Sequence, residues 1–162
     1  MDLVIAVTVL LILAAVALPT MRPDDRARLL GAGSRVVSDL EYARALSIGQ
    51  PNDPAALVLH EDGSGYWLAR GATPETPIVR NGLGEPYEVI FGQGAASSLG
   101  GVAIALVGTD AGGTITFDAF GRLIPAVAAE FRLFNEAGEL PILIDPWTGD
   151  ATMQAIEPTP DE

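Results

Sequence analysis

The N-terminus is the feature that most constrains how this chain can fold. Residues 3–18 form a run of sixteen residues without a charge, preceded by Asp2 and ended by Pro19. As a helix that rises about 1.5 Å per residue, the run spans roughly 24 Å, slightly less than the ~30 Å hydrocarbon core of a bilayer. A single helix is the form that satisfies every backbone group of such a run within lipid. The sequence therefore predicts a helical stem, embedded in a membrane or a helical bundle, that carries the rest of the chain.

Three interpretations of this stem remain open. A cleaved secretory signal fits the small-x-small pattern of residues 15–17, but such signals begin with a basic region and this chain begins with an acidic one. A stop-transfer anchor fits Arg22, Arg26 and Arg28, which by the positive-inside rule would place the following domain in the cytoplasm. In the third interpretation, a cation of a neighbouring molecule meets the carboxylate of Asp2, because an isolated charge at the edge of an apolar core is costly.

The third interpretation is supported by a resemblance. Residues 12–19 read ILAAVALP, and this phrase is similar to the end of the N-terminal helix in type IV pilins and type II secretion pseudopilins. The resemblance places Asp2 at the acidic position of that family, where glutamate is usual, and Pro19 at its helix-kinking proline. It implies that Asp2 pairs with the amino terminus of a neighbouring subunit, which would neutralise both buried charges. The side chains expected in the membrane or filament core are Leu3, Val4, Ile5, Val7, Leu10, Leu11, Ile12, Leu13, Val16 and Leu18.

The leader segment of that family has no counterpart here. In pilins a basic leader is cut by prepilin peptidase, and this chain reads Met1-Asp2 directly before the apolar run. We therefore expect a true start upstream of Met1, or a sequence from which the leader was left out.

A second helix is predicted after the stem. Between residues 24 and 48, Leu29, Val36, Leu40 and Ala43 recur at helical spacing. The pattern predicts an amphipathic helix that buries one face and ends at the proline-containing residues 51–54.

The remainder is predicted to form strands. Short apolar runs alternate with links rich in glycine and asparagine, which is typical of antiparallel β-structure. The fold class is therefore α+β, a long N-terminal helix packed on an antiparallel β-sheet domain. The predicted strands are residues 55–60, 66–70, 77–80, 87–91, 102–107, 114–118, 130–134, 140–144 and 151–156. The predicted organisation is a stem at 1–21, an amphipathic helix at 22–50, a β-rich domain at 51–156 and an acidic disordered tail at 157–162.

The globular part resembles one group within the pilin family. Residues 39–48 (DLEYARALSI) and 117–122 (FDAFGR) stand in the order of a helix phrase and a later strand-turn phrase of GspH/FimT-type minor pseudopilins. The resemblance implies a minor pseudopilin in the inner membrane, with its globular domain in the periplasm or, within a pilus, at the cell surface. The implied partners are other pilins, an inner-membrane assembly platform and, for a leader upstream, prepilin peptidase. Taken alone, Arg44 indicates a solvated helix face and Gly121 a turn with positive φ.

Composition narrows the function classes. The net charge is −12, with nine arginines, no lysine and twenty-one acidic residues, so a cationic patch for nucleic acid is not expected. The absence of cysteine excludes disulfides and thiolate metal sites. A single histidine, His60, gives little basis for a catalytic triad or a multi-histidine site, and it is predicted to lie on the surface of a hairpin. We expect a non-enzymatic protein without a cofactor; a secreted or membrane-anchored β-rich binding module remains the alternative.

One acidic segment near the C-terminus has two interpretations. Asp145 and Asp150 flank Pro146-Trp147-Thr148-Gly149, and carboxylates at this spacing can help to hold Ca²⁺. The preferred interpretation is a β-turn that begins at Asp145-Pro146, with Trp147 packed against the sheet.

Overall fold

In the described part of the chain, one long α-helix packs on two antiparallel sheets. The computed structural model describes residues 25–80, 82–108 and 112–158. Within these ranges the elements, in chain order, are α1 (Asp25–Gly49), β1 (Ala55–Leu59), β2 (Gly65–Arg70), β3 (Thr73–Pro77), β4 (Glu88–Ile90), a 3-10 helix (Gly94–Leu99), β5 (Ala103–Val107), β6 (Thr114–Phe117), β7 (Leu123–Ile124), β8 (Ala129–Asn135), β9 (Gly138–Ile144) and β10 (Ala151–Met153). The predicted α+β class is therefore confirmed.

Helix α1 confirms the amphipathic helix expected between residues 24 and 48. Leu29, Val36 and Leu40 lie fully buried along one face, as their spacing predicts. Gly33 lies on the same face and permits a close approach to the second sheet. A Cβ at Gly33 would lie 2.5 Å from Leu140 Cδ2 and 2.8 Å from the sulfur of Met153. The glycine thus weakens the helix locally but allows tighter packing.

The two sheets have separate strand orders. The first runs β3-β2-β1-β6-β7, and β4 also pairs with β2; the second runs β10-β9-β8-β5. Every pairing is antiparallel. The buried face of α1 contacts β1 and β6 of the first sheet and β8, β9 and β10 of the second, so the helix closes one side of both sheets.

A shared core joins the helix to both sheets. Its largest fully buried side chains include Leu40 of α1, Tyr66 and Leu57 of the first sheet, and Phe131 and Leu140 of the second. Complete burial of a large apolar side chain contributes roughly 1.5–3 kcal/mol. This core fixes the position of α1 on the two sheets.

Several strand predictions were wrong in detail. The strand expected at 77–80 lies earlier, at β3, and Val79 only bridges Pro86. In β3, Pro74 and Pro77 are tolerated because β3 is an edge strand, where proline costs no ladder bond. The last strand ends at Met153 rather than at residue 156. The 3-10 helix and the two-residue strand β7 were not predicted, because elements this short carry no periodic signal.

Candidate functional site

The residues expected to direct assembly lie outside the described residues. They are Asp2, Pro19 and the apolar stem side chains from Leu3 to Leu18, all within residues 1–24. Helix α1 begins at Asp25. Within the described ranges, no helix combines the length and the apolar character that a membrane crossing requires. The described part of the candidate site consists of α1 and the elements packed on it.

A buried carboxylate organises the middle of α1. Asp39 is only 3% exposed, and its carboxylate accepts hydrogen bonds from Tyr66 Oη at 2.7 Å and Tyr87 Oη at 2.8 Å. Arg35, one turn earlier, donates from Nε to Asp39 Oδ2 at 3.0 Å. A buried charge is stable only when it is paired and hydrogen-bonded. Asp39 thus ties the helix to β2 and to the residue that precedes β4.

Both tyrosines of this network are held in the neutral form. Burial, together with the neighbouring Asp39, raises the pKa of Tyr66 far above its ordinary value. For Tyr87, burial and the hydrogen bond to Asp39 raise the pKa from 10.0 to about 12. A second negative charge beside the buried carboxylate is costly, so each hydroxyl remains a donor.

These pKa shifts predict alkaline sensitivity. Above pH 10 an unfolded tyrosine releases its proton, whereas Tyr87 in the folded protein retains it up to about pH 12. The unfolded state therefore binds fewer protons, and the free energy of unfolding falls as the pH rises through this interval. We expect urea unfolding at pH 9 to 12 to show this decline, and Tyr87→Phe to make it shallower. An identical decline in the variant would contradict the assignment.

The same tyrosine links the network to the surface. The ring of Tyr87 stacks on that of Tyr42 with centroids 5.6 Å apart, and the Arg80 guanidinium lies 4.5 Å from the ring centroid of Tyr87. Beside them, a cleft of about 430 Å³ is lined by residues of α1, β4 and the 3-10 helix. Its lining includes Arg35, already paired with Asp39, and Glu88. The cleft can accommodate a small ligand or a side chain of a partner.

The two segments that resemble the pilin family, residues 39–48 and 117–122, contact each other in the structure. Gly121 has φ +79°, which confirms the predicted positive φ. A Cβ at Gly121 would lie 2.8 Å from Arg44 Nε and 3.0 Å from Ile48 Cδ1, so the turn contacts these two side chains of α1 closely. Arg44 also forms an ion pair with Asp150. The interpretation of Arg44 as a merely solvated side chain was therefore wrong, because it joins α1 to two turns.

The segment 145–150 is a hydrogen-bonded turn. Asp145 Oδ1 accepts the backbone N–H groups of Trp147 and Thr148, both at 2.8 Å, and these bonds lower the pKa of Asp145. Asp150 is engaged by Arg44. In the described part of the chain, no three acidic, histidine or cysteine side chains converge as metal ligands require. The contacts favour the β-turn interpretation over calcium, but the packing predicted for Trp147 was wrong, since its side chain is 66% exposed.

His60 lies at the end of β1, within a surface cluster. Its Nε2 lies 3.1 Å from a carboxylate oxygen of Glu88, and its ring is tilted against Trp67 with centroids 4.9 Å apart. These contacts agree with a position beside a hairpin.

These features define a pilin-like α+β fold, with one long N-terminal helix packed on antiparallel sheets. The type IV minor pilin FimU of Pseudomonas aeruginosa (strain PAO1) has a similar structure in two crystal forms, with a TM-score of 0.54 in each case. The P65 form is 18% identical and the alignment covers 78% of this chain and 93% of FimU. The P21 form is 19% identical, with 82% and 90% covered. No family model and no curated protein matches the sequence.

Proposed function

We propose that the chain is a pilin-like subunit, a minor pseudopilin of the GspH/FimT type, that assembles through its N-terminal helix into a type II secretion pseudopilus or a type IV pilus. The observation that supports the proposal is that two features occur in one chain. An uncharged apolar run, residues 3–18, precedes α1 by six residues in the sequence, and α1 is packed on the sheets in the manner of a minor pilin. The partners are then other pilins and an inner-membrane assembly platform, with prepilin peptidase acting on an upstream leader.

In the proposed mechanism, the stem moves from lipid into the core of a filament. In the inner membrane the apolar side chains of residues 3–18 contact lipid, and in the filament they contact other stems. Asp2 sets the register, because its carboxylate is tolerated in an apolar core only where a cation of a neighbour meets it. Pro19 bends or interrupts the helix between stem and domain. The globular domain is then exposed in the periplasm, or at the cell surface within a pilus.

Replacement of Asp2 tests this mechanism. We expect Asp2→Ala to leave the protein membrane-bound and folded but to reduce its recovery with other pilins at least about tenfold, since removal of one partner of a buried ion pair costs roughly 3–5 kcal/mol. Asp2→Glu is the matched control, because it retains the carboxylate, and it should be recovered normally. Pull-down from solubilised membranes measures the recovery. Equal recovery of Asp2→Ala and the parent chain would remove the register role.

A binding module is the second candidate. The cleft of about 430 Å³ beside α1 favours it, since this volume is typical of sites for small ligands. The mature N-terminus distinguishes the two functions. Intact mass spectrometry of protein purified from membranes should show an N-methylated terminus near Asp2 for a pilin. Cleavage after Ala17 would instead indicate a secreted module, and an unprocessed chain a simple anchor.

A further inference from the structure

Arg80 differs from most arginines of this chain in its surroundings. The sequence has twenty-one acidic residues and nine arginines, so an acidic partner is expected for nearly every guanidinium. Arg80 nevertheless forms no ion pair with a carboxylate of the described residues, and its positive charge is therefore available to a bound anion. Six other arginines do form such pairs, namely Arg28, Arg35, Arg44, Arg70, Arg122 and Arg132.

The side chain of Arg80 is held in place despite the missing ion pair. Its guanidinium lies 4.5 Å from the ring centroid of Tyr87, and the face of an aromatic ring attracts a cation at this distance. The Nε atom of Arg80 is buried and has no hydrogen-bond partner among the described residues. Such unsatisfied buried groups are uncommon in native proteins. The Arg80 guanidinium thus presents a fixed donor that needs an acceptor.

A second guanidinium acts on the same tyrosine. Arg35 and Arg80 both line the cleft of about 430 Å³ beside α1. Burial is the main cause of the raised pKa of Tyr87, and the positive charges of both arginines oppose that rise. Arg35 donates to Asp39 from Nε, and a guanidinium carries further N–H donors besides this one. The cleft therefore contains two guanidiniums whose donors can converge on one acceptor.

The acidic residues of the lining do not neutralise Arg80. Glu88 lies opposite Trp67 in the sheet register, and its carboxylate is 3.1 Å from His60 Nε2. Successive residues of a strand point to opposite faces, and the next residue, Val89, is buried in the core that α1 covers. The carboxylate of Glu88 thus lies on the face of the sheet away from α1. Glu85 is exposed in the hairpin that precedes β4, where water and salt screen its charge.

The chemistry of the lining indicates the class of ligand. The planar guanidinium matches the two oxygens of a carboxylate, and one cation without an acidic partner matches a single negative charge better than the double charge of a phosphate. The volume of the cleft is within the range of small-molecule sites. Part of the wall is apolar and is formed by Val89, Ile90, Ala95, Ala96 and Leu99.

We propose that this cleft binds a carboxylate carried on a short apolar group, with Arg80 as its main contact. The carboxylate accepts N–H donors of Arg80 and Arg35, and the apolar group lies against Ile90 and Leu99. The site requires neither the stem nor assembly, so the inference goes beyond the proposed filament subunit.

Hexanoate tests the site without any substitution, because hexanamide has nearly the same shape and no charge. Saturation-transfer NMR on the full-length chain, purified from membranes in detergent, measures both affinities, and protein-free micelles correct for partition into detergent. We expect hexanoate to bind at least about tenfold more tightly than hexanamide, since charge-assisted hydrogen bonds are the stronger ones. Equal affinities, or no binding of either compound, would overturn the proposal.

Arg80→Gln tests the residue that carries the site. We expect it to weaken hexanoate binding at least about tenfold and to leave the affinity for hexanamide unchanged. Arg132→Gln is the matched control, because it makes the same change in net charge at an arginine of β8 that is paired with Glu130. It should change hexanoate binding less than about twofold. Equal losses in the two variants would assign the effect to net charge and overturn the role of Arg80.

Further probes distinguish the sources of the carboxylate. An N-acetylated tripeptide of alanine, valine and leucine with a free carboxyl end is compared with its amide. Binding of the peptide acid more tightly than hexanoate would support the site and identify the end of a polypeptide as the source. Binding of hexanoate alone would support the site and identify a free small acid. Displacement of hexanoate by an equal concentration of inorganic phosphate would overturn the assignment to carboxylates. Failure of the site leaves the filament subunit unaffected, because Asp2→Ala tests that function separately.

Discussion

Replacement of Asp39 by alanine is expected to lower the free energy of unfolding by about 3 kcal/mol. The substitution removes the acceptor of two tyrosine hydroxyls and the ion-pair partner of Arg35. The fully buried hydroxyl of Tyr66 is then left unsatisfied, which by itself costs roughly 1–3 kcal/mol. Arg35 adds less, because its side chain is 35% exposed and water screens the lost charge. Urea unfolding of a fragment that begins at Asp25, followed by circular dichroism, measures the change.

Two further variants isolate the contribution of the network. Asp39→Asn retains an oxygen acceptor of the same shape, so we expect about half of the loss. Glu41→Ala, two residues later on the exposed face of α1, should change the free energy of unfolding by no more than about 0.5 kcal/mol. An Asp39→Ala variant as stable as Glu41→Ala would show that the buried carboxylate does not hold the helix on the sheet.

Helical periodicity made α1 predictable, and the same periodicity places Asp39 on the buried face of the helix. The apolar residues Val36, Leu40 and Ala43 define the buried face, and Asp39 lies three residues after the first of them, on that same face. An acid within such a stripe indicates a buried polar network, but its partners cannot be inferred, because Tyr66 and Tyr87 are 27 and 48 residues away in the chain.

The strands were predictable where apolar residues form a run between turn residues. This holds for β1, whose five residues are all buried, and for β8, where buried and exposed positions alternate. It fails for β3, since Pro74 and Pro77 oppose a strand locally and only the pairing with β2 forms one. Trp147 illustrates the same limit: its size predicts burial, but the turn bonds of Asp145 hold it at the surface.

The contact between residues 39–48 of α1 and the turn at residues 117–122 depends on the tertiary structure and could not be predicted from the local sequence. Nothing in the local sequence of Arg44 indicates that it lies against Gly121 and pairs with Asp150, because these partners are 77 and 106 residues away. Glycine at position 121 signals only a turn. The second glycine of this contact, Gly149, permits the two turns to touch, and it is therefore the position at which the contact can be tested most directly.

Gly149→Ala is expected to lower the free energy of unfolding by about 3 kcal/mol, from two physical causes. Gly149 has φ +72°, and an L-residue in this left-handed region costs roughly 1–2 kcal/mol. In addition, the new methyl group would overlap the carbonyl oxygen of Gly121. The methyl group has no torsion by which it could turn away, and the oxygen that it meets belongs to the backbone, so the turn must move; strain of this kind costs typically 1–3 kcal/mol. The shift also separates Arg44 from Asp150.

Gly84→Ala separates the two causes. Gly84 has φ +69°, nearly the same as Gly149, but no described atom lies within 4 Å of its Cβ position. This variant therefore reports the cost of the left-handed backbone alone, about 1 kcal/mol, and the remaining 2 kcal/mol of Gly149→Ala reports the contact between the turns. Urea midpoints of the two variants, measured side by side, give the difference. Equal losses would mean that the two turns do not support each other.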